Sequence, residues 1–164
     1  MALRFSVRRR RRKVDVARRE LAEVDGRGDR LIVSPIALAP SGFHETQDWV
    51  RVLPAGVDAG TLGAAVDEAL RRSAEGHREP EGERFAAQLK AAGIKSWSQY
   101  VRGLSSVRVD REGEKVEVLP FRNLGARRGL HELPEQIEIL ARPDAAALGS
   151  AVKQGLERSQ EASP

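Results

Sequence analysis

The sequence predicts an α+β protein with a mostly antiparallel sheet, and three observations support this. Two segments have the pattern of β-hairpins, two have the pattern of amphipathic helices, and the same order of elements occurs twice along the chain. The two copies, residues 20–73 and 105–159, each predict a hairpin, a loop, a strand and a helix. Together they predict an internally duplicated sheet of about six strands with helices packed on it.

The hairpin of each copy has an extended apolar segment, a polar turn with glycine and a second extended segment that ends in proline. AEVDGRGDRLIVSP, residues 22–35, aligns without a gap with VRVDREGEKVEVLP, residues 107–120. The identical pairs are Val24 and Val109, Asp25 and Asp110, Gly28 and Gly113, Val33 and Val118, and Pro35 and Pro120. Proline is compatible with a strand end, because it need not donate a hydrogen bond there.

A further strand is predicted in each copy from alternating apolar and polar residues. In WVRVL, residues 49–53, Val50 and Val52 are separated by an arginine. In the matching segment QIEIL, Ile137 and Ile139 are separated by a glutamate. Because successive side chains of a strand point to opposite faces, these valines and isoleucines are expected on one buried face.

The helix is the most strongly repeated element. DAGTLGAAVDEALRRS, residues 58–73, and DAAALGSAVKQGLERS, residues 144–159, share one apolar stripe at helical spacing. The aspartate that begins each segment is the expected N-cap. Gly63 and Gly149 occupy the same position, although glycine costs about 1 kcal/mol relative to alanine inside a helix. Their shared position predicts a close approach between each helix and the sheet.

A linker, residues 74–104, separates the copies and predicts two short helices. The first lies in RFAAQLKAAG and stops at Gly93, and the second lies in SWSQYVRG and is capped by Ser96. The chain is therefore expected to consist of a basic N-terminal segment, residues 1–19, followed by a single domain, residues 20–164.

Composition restricts the compartment and the class of the protein. The 164 residues include no cysteine, which excludes disulfides and thiolate metal sites and favours a reducing compartment. No apolar run approaches the roughly 20 residues of a membrane span. No apolar stretch follows the N-terminal arginines, so a secretory signal is not expected. These features predict a cytoplasmic protein with no membrane partner.

Charge is distributed unevenly along the chain. Residues 1–19 hold nine of the 28 basic residues and one of the 24 acidic residues, which leaves 19 basic and 23 acidic residues and a net charge of −4 in the remainder. A run of six cations can bind nucleic acid in a salt-dependent way, so a nucleic-acid-associated protein is the alternative hypothesis. Stacking aromatic residues and a recognition helix are missing beside the run, which argues against it. The run consists of Arg8, Arg9, Arg10, Arg11, Arg12 and Lys13.

No motif in the sequence indicates catalysis, a metal or a cofactor. The three histidines have no second histidine or cysteine at metal-binding spacing, and no phosphate-binding loop or nucleophile elbow is present. The carboxylates Asp67 and Glu68 lie on the polar face of the first helix, where solvation explains them. The sequence therefore predicts a protein that is not an enzyme and takes no cofactor.

Two near-identical tetrapeptides are interpreted as one repeated structural turn. GFHE supplies Gly42, His44 and Glu45, and GLHE supplies Gly129, His131 and Glu132. Each is expected to lead into a strand and to hydrogen-bond its own backbone. A polar pocket built on both histidines, His44 and His131, remains an alternative, and His77 is expected to be exposed and without a role.

A family resemblance is carried by the repeated helices, by AAGIKSWSQYVRG, and by SPIAL with GFHE and LPFRNLG with GLHEL. Together these segments resemble the immunity proteins of contact-dependent growth inhibition systems. The resemblance covers roughly residues 13–160. It implies a small, cytosolic, non-enzymatic protein that binds and blocks the C-terminal toxin domain of a large exported effector. In this family the toxin is commonly a nuclease, and some members accept a toxin β-hairpin that extends their own sheet.

If the chain has this function, its toxin contacts are expected among acidic and aromatic surface residues. An acidic body attracts basic partners, and aromatic residues dominate binding hot spots. The candidate contacts are Trp49, Asp67, Glu68, Trp97, Tyr100, Glu135 and Glu138. Each of the three aromatic residues is also a candidate for the core, because the chain has few aromatic residues.

Overall fold

The structure is a computed structural model, and it describes residues 19–164. The arginine run that carries the nucleic-acid hypothesis lies outside the described residues. The described part of the chain forms a sheet and four α-helices. In chain order the elements are β1 (Arg19–Arg27), β2 (Arg30–Leu38), β3 (His44–Thr46), β4 (Arg51–Pro54), α1 (Ala59–Ala74), α2 (Ala86–Ala92), α3 (Trp97–Val101), β5 (Ser105–Glu112), β6 (Lys115–Asn123), β7 (Leu130–Glu132), β8 (Glu138–Ala141) and α4 (Ala145–Ala162).

All neighbouring strands are antiparallel, in the order β3-β2-β1-β5-β6-β7. Strand β4 pairs with β2 beside β3, and β8 pairs with β6 beside β7. The strands therefore occupy six positions across the sheet, with two short strands sharing each edge. The predicted α+β class with an antiparallel sheet and packed helices is confirmed.

The two hairpins have the same register. Val24 pairs with Val33, and Val109 pairs with Val118, as the gapless alignment predicts. Each turn has two residues, and its glycine has a positive φ, +57° at Gly28. Glycine is the residue that adopts this left-handed conformation without steric cost. The hairpins meet along β1 and β5, which join the two halves into one sheet.

Helices α1 and α4 pack on one face of the sheet, here named the helix face. Its core contains Ala22 and Val24 from β1, Val107 and Val109 from β5, and the apolar stripes of both helices. The other face, here named the linker face, carries α2 and α3 over part of its area. Its smaller core is formed by Ile32, Tyr100 and Leu104.

The repeated helix glycines mark a contact between the two helices. A Cβ on Gly63 would lie 1.7 Å from the carbonyl oxygen of Ala145, and a Cβ on Gly149 would lie 1.8 Å from that of Ala59. The predicted close approach of each helix to the sheet is therefore wrong for these two glycines. Each one instead lets the first turn of one helix lie against the backbone of the other.

The edge strands bury a different face from the one the sequence predicts. In β4, Leu53 packs into the helix-face core, whereas Val52 is 41% exposed. In β8, Leu140 packs there and Ile139 is 61% exposed. The alternation predicted for these strands is present, but the face predicted to be buried is the more exposed one. The linker covers only part of the other face, so Val52 and Ile139 remain in contact with solvent.

The linker is held to the sheet by polar side chains, and aromatic stacking joins α3 to the start of α2 within the linker. The buried amide of Gln88, in α2, donates to the backbone oxygen of Gln47 at 2.9 Å and to Ser34 Oγ at 3.2 Å. The ring of Trp97 stacks between those of Phe85, at 4.5 Å, and Tyr100, at 5.5 Å. Arg27, at the end of β1, donates from Nε to the backbone oxygen of Tyr100 at 3.1 Å, which brings α3 against β1.

Candidate binding groove on the linker face

A groove opens on the part of the linker face that α2 and α3 leave uncovered. Its volume is about 260 Å³, and it crosses strands β3, β2, β1, β5 and β6. Apolar side chains form part of its lining, and charged side chains rise among them. The groove is lined by Arg19, Leu21, Glu23, Ile36, His44, Thr46, Arg108 and Phe121.

Glu23 lies near the centre of this groove, on the middle strand β1. Its Oε2 accepts a 2.9 Å hydrogen bond from the Thr46 hydroxyl. Burial and the nearby carboxylate of Asp25 raise the pKa of Glu23 to about 8, while Thr46 and Arg108 oppose this shift. The empty groove therefore favours the neutral form of the Glu23 carboxyl.

Asp25 lies two residues further along β1, on the same face and beneath the linker. The Tyr100 hydroxyl donates a 2.6 Å hydrogen bond to its Oδ2. Burial raises the pKa of Asp25 to about 6, although this bond opposes the shift. The pKa of Tyr100 is itself raised, first by burial and then by the charge of Asp25. The linker helix α3 is thus fixed to the sheet through a buried carboxyl.

Ser106 is fully buried, and hydrogen bonding by its hydroxyl lowers the pKa of both Glu23 and Asp25. Asp25 is 5% exposed, and its Oδ1 has no well-aligned hydrogen bond among residues 19–164. The two residues face each other across the β1–β5 ladder. A buried polar group without a partner costs stability, so atoms of this kind mark places where a ligand or a water can be held.

The two arginines of the groove are already paired with acids. Arg19 Nε donates to Asp110 Oδ2 at 2.7 Å, and this pairing raises the pKa of Arg19. Arg108 Nη1 donates to Glu132 Oε1 at 2.8 Å, and its guanidinium lies 5.8 Å from the Phe121 ring centroid. Glu23 lies directly opposite Arg108 in the ladder, but it has no ion-pair partner within the described residues.

The two Gly-x-His-Glu tetrapeptides are not structurally equivalent. His44 pairs with Leu38 in the first copy, whereas the equivalent pair in the second copy is Leu130 with Asn123. Two more residues precede the second tetrapeptide than the first, and the longer loop takes up only one of them, so the second tetrapeptide is shifted by one residue in the ladder. Since strand side chains alternate, His44 lies on the linker face and His131 on the helix face. This corrects the expectation of one repeated turn with one role.

The three histidines therefore have three different environments. His131 Nε2 bonds its own loop, at 2.9 Å from the backbone oxygen of Arg128, as expected for a structural turn. His44 lines the groove. The expectation that His77 is exposed and idle is wrong: its side chain is 8% exposed, and Nε2 lies 3.0 Å from Glu45 Oε2. A single pocket built on both tetrapeptides is excluded by this geometry.

The three aromatic candidates lie on two sides of the sheet. Trp49 is half-buried on the helix face, with the Arg72 guanidinium 4.6 Å from its ring centroid. Trp97 is exposed at the linker surface, at 36%. Tyr100 is only 1% exposed, so its selection as a surface contact is corrected. Its buried hydroxyl donates to Asp25.

The four acidic candidates are dispersed as well. Asp67 lies 3.1 Å from Arg71, and Glu68 lies 3.0 Å from both Arg51 and Arg72. Pairing with these arginines lowers the pKa of Glu68. Two further acids flank the start of β8: Glu135 is exposed, and Glu138 lies 3.5 Å from Arg158. The seven candidates therefore do not form one surface.

Within residues 19–164, no group of three or more His, Cys, Asp or Glu side chains is placed to hold a metal ion. The same residues include no helix with the length and apolar content of a membrane span. The groove itself offers a protonatable carboxyl, two engaged arginines and apolar lining.

Sequence reasoning missed the main residues of this groove, Glu23 and Arg108. Both lie inside predicted strands, where a polar residue is normally assigned to the solvent face. One signal was available. Asp25 and Asp110 are identical in both copies, and both are buried on the linker face. A charged residue repeated at a buried strand position indicates a polar layer on that side of the sheet.

The sequence matches no protein-family model and no curated protein. Two solved structures have a similar fold. One is the protein of unknown function NMB0488 from Neisseria meningitidis, with a TM-score of 0.70, 18% identity, and coverage of 85% of this chain and 94% of that chain. The other is a chain of the CdiA-CT/CdiI toxin and immunity complex from Yersinia pseudotuberculosis, with a TM-score of 0.67, 14% identity, and coverage of 85% and 97%. At such identities the likeness establishes the fold.

Proposed function

We propose that this chain is an immunity protein that neutralises a cognate toxin domain by tight stoichiometric binding. The observation that carries the proposal is the fold shared with a chain of the CdiA-CT/CdiI toxin and immunity complex. The resemblance of the repeated helices and the linker to growth-inhibition immunity proteins points the same way. The toxin is the C-terminal domain of a large exported effector, its activity is that of a nuclease, and neutralisation takes place in the cytoplasm.

Two features of the described residues support a binding role. The groove on the linker face is open, mixed in polarity and rimmed by charged groups, which is typical of recognition surfaces. The net charge of −4 outside residues 1–19 favours association with a basic partner. Nucleases present basic surfaces to their substrates, so charge would increase the rate of encounter with such a toxin.

The test is co-expression of this chain with the toxin domain encoded immediately upstream of it. We expect a stable one-to-one complex in a pull-down and restored growth of cells that produce the toxin. A matched variant that lacks residues 1–13 is expected to protect equally well. Toxicity without rescue, together with no complex, would refute the proposal for that pair.

The same variant separates this proposal from the nucleic-acid alternative. If the arginine run carries the function, the full chain binds DNA or RNA, and binding is lost with rising salt and on removal of residues 1–13. Protection from the toxin would then be absent for both forms. Electrophoretic mobility shifts at two salt concentrations measure this directly.

A further inference from the structure

Glu23 is a groove carboxyl that has no ion-pair partner among residues 19–164, and its side chain is held by Thr46. Arg19 is bound by Asp110, and Arg108 is turned toward Glu132. The groove thus has its positive charges neutralised and one carboxyl left over. A cationic occupant is the group that would complete it.

A second observation concerns Asp25, which lies two residues from Glu23 on the same face of β1, beneath the linker. Its buried Oδ1 has no well-aligned hydrogen bond within the part of the chain that the structure describes. Asp25 has no ion-pair partner in that part of the chain either, so two adjacent carboxyls lack a cation. Ammonium and guanidinium groups carry several N–H donors, so a cation can serve more than one such acceptor.

The shape and apolar lining of the groove fit the stem of such a side chain. Leu21, Ile36 and Phe121 provide apolar surface around Glu23, and the volume of about 260 Å³ exceeds that of one long side chain. Lysine and arginine bury their methylene stems on apolar surface while their charged ends reach polar groups. A small inorganic cation would leave this apolar surface unused.

We propose that the groove receives a lysine or arginine side chain from a basic partner segment and that Glu23 is its counter-charge. The inference rests on the proposed function in naming a toxin as the source of that segment. It assigns a specificity-determining role to Glu23, with the hydroxyl of Thr46 holding its carboxyl in place.

Binding of a cation would be linked to the release of a proton. The pKa of Glu23 is about 8 in the empty groove, and a bound cation favours the ionised form. Affinity is therefore expected to rise with pH up to about pH 8 and then to level off. The titratable and charged groups around Glu23 are Arg19 and Asp25 on its own strand, Arg108 on β5, His44 on β3 and Tyr100 on α3. His44 lines the groove on β3, so it is tested by a variant of its own.

The probe is a tri-arginine peptide, titrated into the full chain at pH 6, 7 and 8 and followed by calorimetry and by amide chemical shifts. We expect shifts in β1, β3 and β5 and an affinity that rises about tenfold from pH 6 to pH 8. Glu23→Gln is expected to weaken binding at pH 8 about fivefold or more and to flatten the pH profile. His44→Gln is expected to retain most of the slope.

Glu157→Gln is the matched control, because it removes the same charge from an exposed position on α4 behind the sheet. Its affinity for the peptide should equal that of the parent chain. Equal binding by the parent chain and Glu23→Gln, or shifts confined to α1 and α4, would overturn the inference.

Toxin binding measured in parallel keeps the two proposals apart. A toxin that binds Glu23→Gln as tightly as the parent chain, at pH 6 and pH 8, refutes the groove alone. Peptide binding in the groove without any toxin complex refutes the function alone.

Discussion

Ser73 and Ser159 make the same pair of hydrogen bonds in the two halves of the sheet. Ser73 Oγ accepts from the backbone N–H of Leu21 at 2.9 Å and donates to the backbone oxygen of Ile36 at 2.6 Å. Ser159 Oγ accepts from Ser106 at 2.9 Å and donates to Phe121 at 2.6 Å. Each serine thus closes the end of its hairpin, next to the groove, from the last turns of a helix.

Ser159→Ala is expected to destabilise the fold by about 2 kcal/mol, because it leaves a buried N–H and a buried carbonyl without partners. Urea unfolding measures the loss. Ser73→Ala should cost a similar amount, since its bonds are the same. The control is Ser150→Ala, an exposed position on the same helix as Ser159, which should change stability by less than about 0.5 kcal/mol.

Gly63→Ala is expected to destabilise the protein by about 3 kcal/mol although alanine favours helices, because its methyl group would overlap the backbone of α4. Thermal unfolding followed by circular dichroism tests this. Gly60→Ala is the comparison in the same helix, since its Cβ would meet only the Asp58 side chain, at 3.2 Å. Equal stabilities of the two variants would contradict the assigned helix contact.

Tyr100→Phe is expected to cost about 1–3 kcal/mol, because it removes the hydrogen-bond donor of the buried Asp25 carboxyl. It should also raise the pKa of Asp25 further, since the Tyr100 hydroxyl lowers it. The double variant with Asp25→Asn completes a thermodynamic cycle. Strictly additive effects of the two substitutions would mean that the bond contributes no coupling energy.

Stability is expected to fall as pH rises from about 4.5 to 8. The pKa of Glu23 is about 8 in the folded chain and 4.5 in the unfolded chain, so the folded chain binds the proton more tightly. Asp25 adds to the same trend between 3.8 and about 6. Glu23→Gln should remove at least about 1 kcal/mol of this pH dependence. Urea midpoints at pH 5 and pH 8.5 provide the comparison; an unchanged difference in the variant would rule out the raised pKa.

Local patterns in the sequence determined the elements and their duplication. Alternation and glycine turns gave both hairpins with the correct register, because a two-residue turn fixes how the strands pair. The apolar stripe and the capping aspartates located α1 and α4. The backbone N–H of Thr61 donates to Asp58 Oδ1 at 2.8 Å, and that of Ala147 donates to Asp144 Oδ1 at 2.7 Å. These are interactions between near neighbours in the chain, which a single sequence records.

Tertiary structure alone decided what each repeated residue does. Gly63 and Gly149 contact each other's helices rather than the sheet. A shift of one residue in the ladder places His44 and His131 on opposite faces. The position of the linker buries Tyr100 and His77 and leaves the surface around Glu23 open. These outcomes depend on contacts between residues far apart in sequence. The same residue in two copies of a motif can therefore have two roles. Each role depends on the neighbours of the residue in three dimensions, and the repeat does not encode these neighbours.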